Sequence, residues 1–386
     1  MTIASASSIA NPREERIPDS PEARQYNRIR RGLGVADFMI SLAMLIVLLA
    51  SGWTDVFRDV AYRLARQHYV AAVFVYVLLL SLLAKLLGLG LDYYAYRLEH
   101  RFHLSNQGLI SWIKDQIKGW LVGLMIGTLL VELAYLLIRQ SPEHWWLIAW
   151  AVFIALFIFF AHIAPVTLFP LFYKFKPLQD EELKQRLLRL SERAGARVHG
   201  VYEWKLSEKS KKANAALAGL GNTRRIILAD TLLDKYSHDE IESILAHELG
   251  HHVRRHILKS IVVQIAVTFF GFWAIDTTLR YAVEQIGMFQ GMADFASLPL
   301  LALVSTLMSL LLMPALNAYS RRNEREADRY CWESTTAVAP FISSMNKLAE
   351  QNLAERSPSK WVEWLFHSHP AISKRIAAAE SWAKAH

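Results

Sequence analysis

Long apolar runs alternate with strongly polar segments along this 386-residue chain, and that pattern predicts its architecture. Each of six apolar runs reaches the roughly 20 residues that an α-helix needs to cross a bilayer. Two polar segments, 172–259 and 317–386, are long enough to form a soluble domain. We therefore predict a mainly α-helical polytopic membrane protein with about six transmembrane helices and one soluble domain built from two segments. The apolar runs cover 33–53, 69–91, 119–138, 145–165, 260–278 and 298–316.

The first polar segment carries signals for both helices and strands, so its expected fold is α+β. Leucines at helical spacing predict an amphipathic helix over 180–194, which Gly195 would end. A strand is predicted over 198–206. A hairpin is predicted over 213–230, with its turn near 219–222.

A further helix is predicted to begin at Ser237. Ser237 and Glu240 have the spacing of a capping box, in which each side chain bonds to the backbone of the other residue. Tyr236 and Ile241 have the spacing of a hydrophobic staple across the same helix start.

The positions of lysine and arginine predict the orientation of the spans. Six arginines precede the first span, whereas the loops after the third and fifth spans carry one each. The loop after the first span, with Arg58, Arg63 and Arg66, fits this rule less well. The positive-inside tendency favours a cytoplasmic N-terminus, and six crossings then place both polar segments and the C-terminus in the cytoplasm.

Five segments follow from these assignments, and the first dozen residues are expected to be disordered. The segments are a cytoplasmic tail (1–32), a membrane domain of four helices (33–172), the first part of the soluble domain (173–259), a transmembrane hairpin (260–316) and the second part of the soluble domain (317–386).

Composition narrows the function classes. Hydrophobic residues make up 53% of the chain, and the net charge is +8. Because the basic residues are spread over polar segments that flank the spans, the positive-inside tendency accounts for the charge, and we expect no nucleic-acid partner. The single cysteine, Cys331, can form neither an internal disulfide nor a cysteine-rich zinc site, and we interpret it as a packing residue.

The stretch from His247 to His251 reads His-Glu-Leu-Gly-His and is the strongest chemical signal in the chain. Residues four apart share one face of a helix, so both imidazoles could bind the same Zn²⁺. Glu248 would lie beside the metal as general base for a bound water. This arrangement is typical of zinc proteases, and here apolar spans flank it on both sides.

A catalytic zinc needs a third protein ligand, and Glu324 is the candidate. It lies on a predicted helix leaving the last span, four residues before Asp328, which could accept the free ring N–H of a ligand histidine. The helix of His251 leads into the fifth span, and the helix of Glu324 leaves the sixth. By the helical rise, His251 lies about 13 Å from the end of its span and Glu324 about 12 Å from the end of its own. The sequence therefore predicts one Zn²⁺ held by His247, His251 and Glu324 at one membrane face.

Other polar residues near these motifs receive different interpretations. His252 and His256 point to another face of a continuous helix, so they are interpreted as surface histidines.

Lys85, Glu132 and Asp276 lie within the apolar spans, where each would cost about 2.5–3.5 kcal/mol facing lipid at a helix centre. We expect them to face one another, water or a cavity, although Lys85 and Asp276 could equally snorkel from near the span ends.

The chain resembles the CAAX prenyl endopeptidase family, which comprises integral-membrane zinc metalloproteases of the a-factor-converting type. The resemblance rests on the His247–His251 stretch, on Ser320-Arg321, Glu324 and Ala327-Asp328, on 96–107, and on Ala213-Asn214-Ala215 with 223–233. It extends over most of the chain beyond about residue 70 and implies a zincin-like (gluzincin) metalloprotease domain on the cytoplasmic side.

The resemblance also implies further site residues. His369 and Arg375, in a His-Pro…Arg element, would stabilise the oxyanion or hold the substrate carbonyl, which needs fixed donors where negative charge develops. Asn214 would lie on an edge strand that pairs with extended substrate, although the hairpin could equally be scaffold.

The predicted function is hydrolysis of peptide bonds in membrane-associated substrates, with a peptide or lipidated peptide and membrane lipids as partners. The resemblance implies cleavage beside a prenylated cysteine. Quality control of membrane proteins is the alternative for a relative without prenylated substrates. A non-catalytic membrane scaffold or transporter with a structural zinc also stays open, although such sites are usually closed by four protein ligands.

Overall fold

The computed structural model describes residues 19–219, 224–335 and 338–386, without the side chains of 164–166. Helices dominate these residues, and one small sheet lies in the polar part. The predicted hairpin turn at 219–222 and the predicted disordered tail fall largely outside the described residues. The helices are α1 (Pro21–Ala50), α2 (Trp53–Leu64), α3 (Tyr69–Arg101), α4 (Leu109–Gln140), α5 (Trp145–Thr167), α6 (Phe169–Phe172), α7 (Glu181–Arg193), α8 (Asp230–Leu233), α9 (His238–Val253), α10 (His256–Arg280), α11 (Leu298–Ser334), α12 (Ala339–Gln351), α13 (Lys360–Phe366) and α14 (Ile372–Ala385).

Six of the described helices are long and apolar enough to cross a membrane, which confirms the predicted number. They are α1, α3, α4, α5, α10 and α11. Helices α10 and α11 form the predicted hairpin, joined by a π-helical turn at Tyr281–Gln285 and a short 3₁₀ turn at Phe295–Ser297. Much of the apolar surface of these helices is exposed in the isolated chain, as expected for surface that contacts lipid.

The first helix begins earlier than predicted. It starts at Pro21, so the segment up to residue 32 is helical from there on rather than a tail. The Ser20 side chain accepts a hydrogen bond from the Ala23 amide, and Pro21 occupies the first helical position, where its missing N–H is not needed. Hydropathy marks only where the apolar run begins, and the helix extends beyond it.

The short helix α2 was not predicted as a separate element. It lies between the first two spans and is held by the loop that joins α10 to α11. The Arg58 guanidinium pairs with Asp294 at 2.7 Å, and Thr54 Oγ1 donates to the Ala296 carbonyl at 2.6 Å. Phe295 lies against the rings of neighbouring tyrosines in a buried cluster, so the ends of the spans are fixed on this face. These tyrosines are Tyr62, Tyr69 and Tyr76.

The sheet has four strands in the order β1-β2-β4-β3. Strand β2 pairs in parallel with β4, and the other two pairings are antiparallel. The predicted strand at 198–206 is observed as the shorter β2, and the two strands of the predicted hairpin are β3 and β4. The strands are β1 (Phe175–Pro177), β2 (Val201–Trp204), β3 (Ala215–Ala218) and β4 (Arg225–Ala229).

Helices α7 and α9 pack with this sheet into the soluble core. The Asp180 side chain caps α7 at the Leu183 amide, and the leucine stripe of α7 is buried, as the periodicity predicted. The capping box at Ser237 and Glu240 is also present, so α9 begins where it was expected.

The charged residues within the spans do not face one another. Lys85 Nζ binds Asp92 at 2.5 Å and Gln116 at 2.6 Å. Asp276 accepts from the Trp145 indole at 2.5 Å and from Arg280 Nε at 2.9 Å. Lys85 lies midway along α3 and Asp276 near the end of α10, and both have charged partners; the snorkelling interpretation stays a prediction. Glu132 Oε1 is buried without a hydrogen-bond partner among the described residues.

Candidate metal centre

Helix α9 presents His247 and His251 on one face, and both imidazoles point at Glu324 of α11. His247 Nε2 lies 3.2 Å from Glu324 Oε2, and His251 Nε2 lies 3.4 Å from Glu324 Oε1. His247 and Glu324 are buried, and His251 is half-buried. The structure thus brings together the three residues that the sequence predicted as metal ligands.

The closeness of α9 and α11 depends on small residues at their crossing. Gly250 lies against Ala327, whose Cα and carbonyl oxygen would be only 2.9 Å from a Cβ at position 250. Ala327 is itself fully buried. The two helices therefore meet almost backbone to backbone, one residue from His251 and three from Glu324.

The ring of His247 is oriented from its other nitrogen. His247 Nδ1 lies 2.8 Å from Asp328 Oδ1, one turn along α11 from Glu324. Burial disfavours the charged imidazole, but the carboxylates of Asp328 and Glu324 outweigh it and raise the pKa of His247 to about 9. A carboxylate at Nδ1 fixes the tautomer that leaves Nε2 free for a metal.

Arg375 holds Asp328 in place. Its Nη2 lies 2.5 Å from Asp328 Oδ1, and its Nε lies 2.8 Å from Oδ2, a bidentate pair. Nη2 is also 3.4 Å from His247 Nδ1, so the buried guanidinium lies on the Nδ1 side of the ring, away from Nε2. The resemblance implied contact with the oxyanion, whereas two of the three guanidinium nitrogens are engaged by Asp328 here.

His369 lies at the open side of the centre. Its Nδ1 is 2.8 Å from Glu324 Oε2, and 63% of its side chain is exposed. It belongs to the turn between α13 and α14. An exposed imidazole beside the candidate metal ligand is free to approach a substrate carbonyl.

Arg321, which the sequence showed only as part of a family-like motif, anchors the turn that carries His369. Its Nη1 donates to the carbonyl oxygens of Glu363 at 2.9 Å and His367 at 2.6 Å. It is buried and lies one turn before Glu324 on α11. One helix therefore positions both the third candidate ligand and the turn of His369.

His256 is not a surface histidine, and α9 does not continue into the fifth span, so both of these predictions are wrong. Helix α9 ends at Val253, and Arg255 has a left-handed backbone conformation with φ of 56°. The resulting break turns His256 back towards His251, and its side chain is buried with Nδ1 3.0 Å from His251 Nδ1. His252 is half-buried.

Asn214 immediately precedes the edge strand β3. Its carbonyl accepts from the Ala229 amide at 3.0 Å, and its side chain is exposed. The sheet order leaves β3 with a neighbour on one side only, and β3 packs against α9. Its proposed contact with substrate stays a prediction.

The donor set fits Zn²⁺. The candidate ligand atoms of His247, His251 and Glu324 all lie within 4.8 Å of one another. With ligand bonds of about 2.0–2.1 Å, the edge of a tetrahedron around zinc is about 3.3 Å, which matches the 3.2 and 3.4 Å separations. The buried Glu324 carboxylate is faced by the imidazoles of His247, His251 and His369, and imidazole nitrogen with carboxylate oxygen is a donor set that Zn²⁺ takes.

Two family models match this chain and together cover nearly all of the described residues. Residues 177–383 match peptidase family M48. Residues 19–174 match the model described as CAAX prenyl protease N-terminal, five membrane helices. The second match covers α1 to α6, of which four are long enough to span a membrane.

Individual relatives extend over similar lengths. The uncharacterized metalloprotease YhfN of Bacillus subtilis is 33% identical over 383 residues, 98% of this chain and 88% of the relative. CAAX prenyl protease 1 of Saccharomyces cerevisiae is 27% identical over 407 residues, 95% of this chain and 87% of the relative. The crystal structure of S. mikatae Ste24p has a TM-score of 0.84 over 95% of this chain and 92% of that chain, at 24% identity, and thus shares the fold.

Proposed function

We propose that this chain, which belongs to peptidase family M48, cleaves peptide bonds at a zinc centre formed by His247, His251 and Glu324. Membership makes it a multi-pass membrane metalloprotease with a zincin-like domain, and the family implies a metal, typically zinc. The observation that carries the ligand assignment is the convergence of ligand atoms from His247 and His251 of α9 and from Glu324 of α11, all within 4.8 Å of one another.

Glu248 is the proposed general base. Zn²⁺, when bound, supplies a Lewis acid that lowers the pKa of water and polarises a carbonyl. The Glu248 carboxylate is half-buried beside the ligands, and it makes no hydrogen bond or ion pair with any residue that the structure describes. It is therefore free to take a proton from the attacking water and deliver it to the leaving amine.

His369 and Arg375 have different proposed roles. His369, exposed at the edge of the centre, donates to the oxyanion as negative charge develops. Arg375 acts through Asp328, whose carboxylate it holds against His247. This division follows from the exposure of the first side chain and the bidentate contact of the second.

An extended substrate is proposed to add to the free edge of β3. This edge begins at Asn214 and passes beside α9, so a bound strand would lead its peptide bonds towards Glu248. Replacement of Asn214 by Ala should then raise KM more than it lowers kcat.

A lipid-modified substrate is favoured by an apolar cavity of about 1230 Å³ between α1, α5, α10 and α11. Its walls include Phe38, Phe153 and Phe272, and at one end Leu365 and Phe366 lie just before the turn of His369. Such a cavity suits a prenyl chain while the attached peptide reaches the zinc. The names of the CAAX prenyl protease relatives agree with this substrate class.

The sidedness is proposed from charge alone. Arginines of α1 before the bilayer support a cytoplasmic N-terminus and, after six crossings, a cytoplasmic centre and C-terminus. The same six crossings underlie the proposed division of the chain into two membrane segments, 33–172 and 260–316, and two soluble segments, 173–259 and 317–386. Thiol labelling of a cysteine added at position 386, in sealed vesicles, tests this orientation.

The deciding experiment is the Glu248→Gln variant. It should bind one zinc per chain but lose cleavage, because Gln cannot take up the proton. Wild-type turnover in this variant would overturn the mechanism. Comparing a farnesylated peptide with its unmodified twin then tests the substrate, since equal cleavage of both would favour membrane-protein quality control.

A further inference from the structure

His256 lies between His251 and a carboxylate in a line of three side chains. His251 Nδ1 is 3.0 Å from His256 Nδ1, and His256 Nε2 is 3.1 Å from Glu326 Oε2. Only 3% of His256 is exposed, so water does not replace these contacts. Glu326 is itself held by Arg322 Nε at 3.2 Å, with Lys259 Nζ at 3.9 Å.

The directions of both hydrogen bonds follow once His251 binds a metal through Nε2. The proton of a neutral imidazole must then be at Nδ1, so His251 donates to His256. His256 accepts at Nδ1 and therefore carries its own proton at Nε2. Nε2 faces Glu326, and an ionised carboxylate can only accept a hydrogen bond. Each of the two hydrogen bonds therefore has one donor and one acceptor.

We propose that His256 is a positioning residue for the metal ligand His251. It accepts a hydrogen bond from the Nδ1–H of His251, and its own ring is held by the hydrogen bond that it donates to Glu326. The inference rests on the proposed zinc centre. His247 is oriented directly by the Asp328 carboxylate, whereas a neutral imidazole stands between His251 and its carboxylate. The two ligand rings are thus supported by different groups from two different helices.

The backbone break at Arg255 is what makes this arrangement possible. In a continuous helix, residues 251 and 256 would lie about 140° apart around the axis and could not meet. A left-handed backbone conformation is strained at a residue other than glycine, because Cβ comes too close to the following carbonyl oxygen. Such strain persists where the surrounding structure imposes it, and here the break allows His251 and His256 to form their hydrogen bond.

The test is the zinc affinity of the full-length protein in detergent, measured by competition with a chromophoric chelator. His256→Leu removes the acceptor and should weaken zinc binding about 10- to 100-fold. His256→Asn places a carbonyl oxygen near the position of Nδ1 and should recover most of that affinity. The visible spectrum of the Co²⁺-substituted protein should shift in the Leu variant and return towards wild type in the Asn variant.

The matched control is His252→Leu, the same substitution at a neighbouring histidine outside the line, and it should leave zinc affinity unchanged. Unchanged affinity in folded His256→Leu would overturn the proposal, as would equal weakening by Leu and Asn, which would point to packing. If His256→Leu does not fold, the Glu326→Ala variant, at a half-exposed position, replaces it in the test. Its zinc affinity should fall several-fold, and an unchanged zinc affinity would contradict the proposal. A wild type that binds no zinc would instead overturn the proposed function.

Discussion

Gly250 lies so close to the backbone of Ala327 that no side chain fits between α9 and α11 at this point. A Cβ at position 250 would be 2.9 Å from both Cα and the carbonyl oxygen of Ala327, and backbone atoms cannot rotate away. This contact sets the distance at which His251 and Glu324 face each other.

The Gly250→Ala variant should therefore push the two helices apart. We expect a cost of about 1–3 kcal/mol in unfolding free energy, together with weaker zinc binding, because overpacking displaces backbone. Thermal unfolding and zinc titration in detergent measure both effects. Gly127→Ala in α4 is the control for the same change in helix propensity, since a Cβ there meets nothing within 4 Å; it should not lower the unfolding free energy and should leave zinc binding unchanged.

The Asp328→Asn variant should be strongly destabilised. It removes the negative partner of the buried Arg375 and of His247, and breaking a buried pair costs about 3–5 kcal/mol. Glu208→Gln, which removes an exposed pair with Lys174, should cost about 0–1 kcal/mol. Similar melting temperatures for the two variants would contradict this view of the Asp328–Arg375 pair.

The Arg321→Leu variant should lose activity while retaining zinc. Without its bonds to the Glu363 and His367 carbonyls, the turn of His369 is no longer fixed, and misplacement of a catalytic group can lower the cleavage rate by about tenfold or more. Peptide cleavage and zinc content are measured together. Arg329→Leu, which removes an exposed pair with Glu333 on the same helix, should cleave at the wild-type rate, and equal rates for both variants would remove Arg321 from the site.

Removing the metal should abolish cleavage but preserve the fold. The α9–α11 contact is made by backbone packing at Gly250, so the helices do not depend on an ion to stay together. Circular dichroism after treatment with a chelator should show unchanged helicity, and added Zn²⁺ should restore cleavage. Loss of helicity on chelation would instead indicate a structural zinc, since such domains unfold without metal.

The parts of the fold that were predicted correctly have local signals. The capping box at Ser237, the buried leucine stripe of α7 and the ligand spacing on α9 each depend on residues within one or two turns. Glu324 could be predicted to lie near His251 because hydropathy marks the fifth and sixth spans, which lead from one residue to the other, and the structure places the two side chains together. The start of α1 was missed although Ser20 and Pro21 carry a recognisable capping signal.

The role of His256 could not be predicted from spacing. The break before it occurs at Arg255, and a left-handed arginine has no signature in the sequence, whereas a glycine there would have suggested one. Arg321 is a similar case, because its partners are carbonyl groups more than forty residues later in the chain. Such contacts are set by tertiary packing and have no periodicity.

The first membrane helix is tied to residues that are synthesised more than 320 positions later. Asn27 Nδ2 donates to the Leu353 carbonyl at 2.6 Å, and Arg31 Nη2 pairs with Glu355 at 3.1 Å, across 326 and 324 residues. At about 5–20 residues per second, a ribosome needs roughly 15–65 s to add that much chain. His369 and Arg375 emerge later still. The contacts of α1 with this later segment, and the proposed centre with His369 and Arg375, can therefore form only after all six apolar helices have been synthesised.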